Sequence, residues 1–293
     1  MAAKQWKASD VPDLTGRKIV VTGASSGLGL VTAREFARVG AHVVLAVRDR
    51  AKGERAAEDM TGSVEVRELD LGDLSSVRAF ASGWSGDLDV LVNNAGVMRV
   101  PEGRTVDGFE VHMGTNHLGP FALTALLLPH ITDRVVTVSS FLHAKGRIDP
   151  ADLYAERLPY DGSQAYNNTK LANLLFALEL QRRLSATGSP VRSLAAHPGL
   201  SSTNLLGHIG GFQSLMLPLV GQSAEQGALP TLYAATQDLP GGTYVGPDGF
   251  RGLRGHPVVQ QPSPTARDAV LGRELWELSA QLTSVEHSAG DVR

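Results

Sequence analysis

The chain has 293 residues, 42% of them hydrophobic, no cysteine, and a formal net charge of −3 at pH 7. That charge leaves no basic excess to neutralise a nucleic-acid backbone, and the missing cysteines exclude disulfides, thiolate nucleophiles and thiolate-held metals. The polar start with Lys4, Lys7 and Asp10, and the lack of any run of roughly 18 apolar residues, speak against a secretory signal and a membrane span, so a cytoplasmic protein without nucleic-acid partners is expected.

From Arg17 onward, short β-branched runs alternate with longer helical patterns. A strand at 18–21 leads to a helix over 28–39, a strand at 43–47 to a helix over 51–60, and a strand at 64–69 to a helix over 74–82. A strand at 90–92 and a helix over 108–128 follow, then a strand at 135–138, a helix over 165–184 and a strand at 191–196. The alternation predicts an α/β, doubly wound parallel sheet of the Rossmann type. Its strands read as continuous apolar runs, as burial on both faces requires. No repeat, low-complexity block or linker divides the chain, so residues 1–293 are expected to form one domain.

Two segments break the rhythm. Residues 146–164 form a polar, Pro-containing insertion, and residues 200–222 an apolar, Gly-containing stretch after the sixth strand. Loops at the carboxyl ends of parallel strands are where ligands sit, so 203–222 is expected to be a substrate lid, with a short helix packed on the core as the alternative. From Pro240 onward come Gly-Pro turns, a helical pattern over 266–282 and a polar tail.

The first strand runs into Gly23, Ser25, Ser26, Gly27, Leu28 and Gly29 just where the first helix opens. Glycines there permit a tight turn and close approach of backbone amides to a pyrophosphate, and the helix N-terminus favours an anion. An NAD site commonly places an acid at the end of the second strand, but Val47 stands there, followed by Arg48. Arg48 can pair with a 2′-phosphate, a charge-assisted contact worth about 1.5–3 kcal/mol. The bland alternative is a solvated arginine paired with Asp49 or Glu54. Ser26 occupies the place in the glycine loop where a second basic residue would strengthen the NADP assignment.

Further along come Asn93, Asn94, Ala95 and Gly96, then Asn116, then Ser139 and Ser140, then Tyr166 and Lys170. In this order the elements resemble the short-chain dehydrogenase/reductase family over about residues 14 to 250. The resemblance implies a single-domain Rossmann fold of seven strands, a nicotinamide cofactor, and Asn116, Ser140, Tyr166 and Lys170 as catalytic residues. It further implies cofactor contacts from Asp70, Leu71, Asn94, Ala95, Gly96, Pro198, Gly199 and Thr203, with Tyr166 and Lys170 also facing the cofactor. Ser140 matches the family serine, with Ser139 as its neighbouring competitor. The long interval from Ser140 to Tyr166, the Val47-Arg48-Asp49 and Lys52-Gly53-Glu54 text, and Lys170-Leu171-Ala172-Asn173 are similar to retinol dehydrogenases and their bacterial relatives. That subgroup implies NADP(H) and an apolar aldehyde, ketone or alcohol as small-molecule partner. Family habit suggests a homodimer or homotetramer, and the insertion leaves a monomer open.

The residues support the same chemistry by themselves. Tyr166 and Lys170 are four apart on a helix and share a face. An ammonium beside a phenol favours the phenolate and makes it a usable acid/base. Ser140 would donate a hydrogen bond to the substrate oxygen, and Asn116 would anchor a water that relays the proton. A sensor of NADP(H) that regulates a partner is the rival function, and such proteins commonly lose the tyrosine or the lysine, both present here. His112 and His117 face different ways on their helix, so no metal site is expected.

Overall fold

The structure, a computed structural model, describes residues 5–98, 100–154, 156–157, 159–200, 222–249 and 252–285. Apolar, β-branched runs build strands β1 (Lys18–Thr22), β2 (His42–Val47), β3 (Ser63–Glu68), β4 (Leu88–Asn93), β5 (Ile131–Val138) and β6 (Arg192–Ala196). Between them lie helices α1 (Gly27–Arg38), α2 (Arg50–Glu58), α3 (Leu74–Ser82), α4 (Val111–Met113), α5 (Gly119–Leu127) and α6 (Gly162–Ala186). Acidic caps set several starts. Asp49 accepts from the Lys52 amide at the head of α2, Asp73 from Ser75 and Ser76 at α3, and Asp161 from Ser163 and Gln164 at α6.

The chain closes with α7 (Ala224–Thr236), β7 (Tyr244–Gly249), β8 (Arg254–Gln260) and α8 (Ala269–Thr283). The sheet order is β3-β2-β1-β4-β5-β6-β7-β8. β1 pairs in parallel with both β2 and β4, Val21 standing opposite Leu45 on one side and Val92 on the other. The direction of winding reverses between β1 and β4, which opens a crevice at their carboxyl ends.

Successive strand residues point to opposite faces, and both faces are covered. Val20, Val44, Leu91 and Val135 pack with Phe121, Phe176 and Trp276 of α5, α6 and α8, while Ile19, Val21, Leu45, Val92 and Leu194 pack with Phe36 and Leu232 of α1 and α7. This two-sided burial is why the strands read as unbroken apolar text.

Among the described residues the sheet has eight strands where seven were expected, because β8 returns antiparallel along β7 as a hairpin arm. The text of this hairpin is broken by Gly246, Pro247, Gly249, Gly255 and Pro257, and proline is tolerated at a sheet edge such as β8. The helix expected over 108–128 is interrupted by a wide π turn at Gly114–Leu118. α7 was not anticipated, since Pro230 lies inside it. No helix among the described residues is long and apolar enough to cross a membrane.

Candidate active site

A cleft of about 430 Å³ lies at the carboxyl ends of β1 and β4, lined at one end by Gly23, Ser25, Ser26, Gly27, Leu28 and Gly29. Gly23 and Gly27 have φ of +67° and +57°, a region side chains rarely adopt. A Cβ on Gly29 would press into the Asn94 side-chain amide and the Gly23 carbonyl. Ser26, at the N-cap of α1, makes no side-chain hydrogen bond to the first-turn amides, so they are left to a ligand. These features fit the pyrophosphate of a dinucleotide.

Asn94 donates through Nδ2 to the Thr22 carbonyl at 2.8 Å, and the Asn94 and Ala95 amides both reach Thr22 Oγ1 at 3.0 Å. Thr22 therefore fastens the β4 end onto β1, a role that its place at the end of the strand could have signalled. Asn94, Ala95 and Gly96 form a wall of the cleft, as do Asp70 and Leu71. The Asp70 carboxylate accepts from the Gly72 amide at 2.8 Å, which fixes its direction.

The other rim carries Arg48 and Lys52. Val47 is 1% exposed, because α2 crosses so closely that a Cβ on Gly53 would come within 2.6 Å of Val47 Cγ2. The first side chain free to face the rim is thus that of Arg48. It makes no hydrogen bond or ion pair with any described residue, whereas Glu54 holds Arg50 at 2.8 Å and Asp49 caps α2. The bland pairing of Arg48 with Asp49 or Glu54 is absent from this arrangement. Lys52, one helical turn on, is a second exposed cation that the sequence reading left out of the site.

At the inner end of the cleft, α6 presents Tyr166 and Lys170, both buried. Lys170 Nζ lies 5.5 Å from the centre of the Tyr166 ring and donates to the Val138 carbonyl at 3.2 Å. Burial pushes the Tyr166 phenol up to about 12, with its hydrogen bond to Ser140 pulling the other way. Burial also pushes Lys170 down to about 8. Burial thus sets the direction for both groups, and the lowering of the phenol expected from Lys170 is not among the effects acting on Tyr166.

The two serines separate cleanly. Ser139 Oγ donates to the Lys170 carbonyl at 2.7 Å and ties β5 to α6. Ser140 Oγ accepts from the Leu142 amide at 3.2 Å, so its hydroxyl proton remains for Tyr166 or for a substrate oxygen. Asn116 sits in the π turn, fully buried, and its side chain accepts from the Val97 amide at 2.7 Å and donates to the Val97 carbonyl at 2.9 Å and to Thr169 at 3.1 Å. Both of its side-chain amide protons are thus used within the protein, and its oxygens keep lone pairs that can accept from a water.

Pro198 also lines the cleft, and its carbonyl accepts from Gln222 Nε2 at 2.6 Å. Gly199 turns the chain behind it with φ of +66°, where a Cβ would strike the Leu253 carbonyl. Thr203 and all of the expected lid except Gln222 lie outside the described residues. The insertion packs over α4: Tyr160 reaches His112 at 3.1 Å and Glu110 at 3.3 Å, and Tyr154 stacks at an angle on Phe109. Among the described residues no group of three or more acids and histidines could hold a metal ion.

The profile of the family described as short chain dehydrogenase matches residues 17–212. Retinol dehydrogenase 11 of Homo sapiens is 42% identical over 288 residues, which cover 92% of this chain and 86% of that protein. Polyprenol dehydrogenase of Mus musculus is 42% identical over 293 residues, 93% of this chain and 85% of that protein. A crystal structure of an uncharacterized protein from Mycobacterium Paratuberculosis superposes with a TM-score of 0.87 at 56% identity, covering 97% of this chain and 100% of that one.

Proposed function

The chain belongs to the short chain dehydrogenase family, and on that premise we propose that it is an NADP(H)-dependent oxidoreductase interconverting an apolar aldehyde or ketone and its alcohol, with Tyr166 as general acid/base. The observation that carries this reading is one cleft with Tyr166 and Lys170 at its inner end and Arg48, unpaired among the described residues, at its outer rim.

In this reading the amides around Ser26 to Gly29 hold the pyrophosphate and Asp70 and Leu71 flank the adenine. Arg48, helped by Lys52, holds the 2′-phosphate. Asn94 to Gly96 and Pro198 bound the nicotinamide side, and Lys170 reaches the ribose. When bound, the nicotinamide supplies or takes the hydride. The chain does the rest. Ser140 donates to the carbonyl oxygen and polarises it, with its own oxygen already held by the Leu142 amide. Tyr166, kept protonated by burial, delivers its proton to the oxygen as charge develops there, a step typically worth about 10²–10⁴-fold. Asn116 supports the floor of the cleft by bracing Val97 and α6 through Thr169.

Retinol and polyprenols, named in the two relatives, are long apolar alcohols, which supports an apolar substrate for this chain. A panel of aldehydes and ketones followed by NADPH absorbance, run beside NADH, tests the proposal. Turnover with NADPH supports it, and no turnover on any member overturns it.

A further inference from the structure

His143 is 6% exposed and sits in the short 3₁₀ turn Phe141–Lys145 directly after Ser140. Both of its ring nitrogens are engaged by main chain. Nε2 lies 3.1 Å from the Ser263 amide nitrogen, which can only donate. Nε2 is therefore the acceptor, and the proton of the neutral ring belongs on Nδ1. Nδ1 lies 2.7 Å from the Ser140 carbonyl oxygen, which also accepts the His143 amide at 3.0 Å. The Tyr244 hydroxyl also reaches Nδ1, at 3.5 Å against 2.7 Å for the Ser140 carbonyl, and its ring stands at 86° to the imidazole with centroids 5.6 Å apart.

We infer that His143 is a positioning residue for Ser140: its Nδ1–H, presented by the Ser263 amide, holds the Ser140 carbonyl and so fixes where the Ser140 hydroxyl points. The inference rests on the oxidoreductase reading above, in which Ser140 touches the substrate oxygen. Ser140 is then held at two atoms, its carbonyl by His143 and its Oγ by the Leu142 amide. Only the direction of the hydroxyl proton stays free. A displacement of about 1 Å at such a donor can cost on the order of 100-fold in rate. The contact also ties Ser140 to the segment after β8, because Ser263 lies 120 positions from His143 in the chain.

Two readouts on the full chain test this. Nitrogen-15 NMR of labelled histidine reads the tautomer without reference to activity. The inference expects a protonated Nδ1 and a bare Nε2 on His143, and the opposite tautomer or an imidazolium at neutral pH would overturn the contact. The second readout is steady-state kinetics with NADPH and a carbonyl that the wild type reduces. His143→Leu should lower kcat about 10- to 100-fold, with the KM for NADPH nearly unchanged. His143→Asn, whose amide can take the Nδ1 position, should recover most of that loss, and it keeps the test valid should the leucine variant fold poorly. In a Ser140→Ala background, His143→Leu should cost nothing further. Full additivity in the double variant, or a folded His143→Asn as slow as the leucine variant, would overturn the positioning role. A wild type that reduces no carbonyl would instead sink the oxidoreductase reading, and the tautomer would still decide the contact.

Discussion

The Lys170 ammonium lies 5.5 Å from the centre of the Tyr166 ring and is bonded to the Val138 carbonyl rather than to the phenol oxygen. With both side chains buried, desolvation pushes the phenol up to about 12 and the amine down to about 8. Each group is thereby held toward its neutral form, so at neutral pH Tyr166 is ready to give a proton rather than to take one.

A pH asymmetry follows. With Tyr166 as the proposed acid/base, reduction needs the protonated phenol, which is present below its raised value, whereas oxidation needs the phenolate, whose share grows as pH climbs toward that value. The optimum for alcohol oxidation should therefore lie at higher pH than that for carbonyl reduction, as measured by kcat/KM profiles in the two directions. Coincident profiles would show that Tyr166 is not the group being titrated.

Lys170 makes a prediction for stability without cofactor. Its folded value of about 8 lies below the ordinary 10.5 of a lysine, so at neutral pH folding buries a group that prefers charge. That cost is fully present below about pH 8 and is relieved as pH rises toward 10.5, where only the unfolded chain keeps the extra proton. The raised Tyr166 value acts in the opposite sense, and only above pH 10, where the unfolded phenol ionises first. Between pH 7 and 10 the wild type should therefore gain on Lys170→Met by up to roughly 3 kcal/mol, read as the difference between their melting temperatures. A constant difference across that range would mean that Lys170 keeps its charge in the fold.

At the rim, Arg48 has no partner among the described residues to give up on binding a phosphate. NADPH should bind more tightly than NADH by about 1.5–3 kcal/mol, or roughly 10- to 150-fold. Arg48→Ala should erase most of that gap. Titration calorimetry showing equal dissociation constants in the unmutated protein would make Arg48 a bystander.

The adjacent serines should respond differently. Ser139→Ala removes a buried hydrogen bond to the Lys170 carbonyl and should cost about 1 kcal/mol of stability, with kcat changed little. Ser140→Ala removes the proposed donor to the substrate oxygen and should cost roughly 10²–10³-fold in kcat, with the melting temperature nearly kept. The reverse pattern would reassign the two residues.

The alternation of strands and helices and the glycine turn after β1 were legible because their causes are local. Residues 43–47 are apolar throughout since the sheet is covered on both faces, and Gly23, Gly27 and Gly29 mark places where a Cβ is strained or has no room. What was not legible depends on contacts between distant parts of the chain. The π turn at Gly114–Leu118, of text Gly-Thr-Asn-His-Leu, carries no proline or other local mark to announce that the helix widens there. The Asn116 amide finds Val97 and Thr169 only after folding, contacts that its place in the text does not announce. The shift of Tyr166 has the same origin, since four-residue spacing puts Lys170 on its face of α6 but cannot reveal how dry that face is. Lys52 was read as family text, and only its place on the rim beside Arg48 brings it into the site.

The most direct measurement is the turnover of the wild type and of Tyr166→Phe with NADPH on one carbonyl that the wild type reduces, with cofactor affinity measured on both proteins. The substitution removes a single hydroxyl from the inner end of the cleft. The account predicts a fall of roughly 10²–10⁴-fold in kcat, with NADPH binding nearly unchanged. A phenylalanine variant that keeps most of its turnover would contradict it.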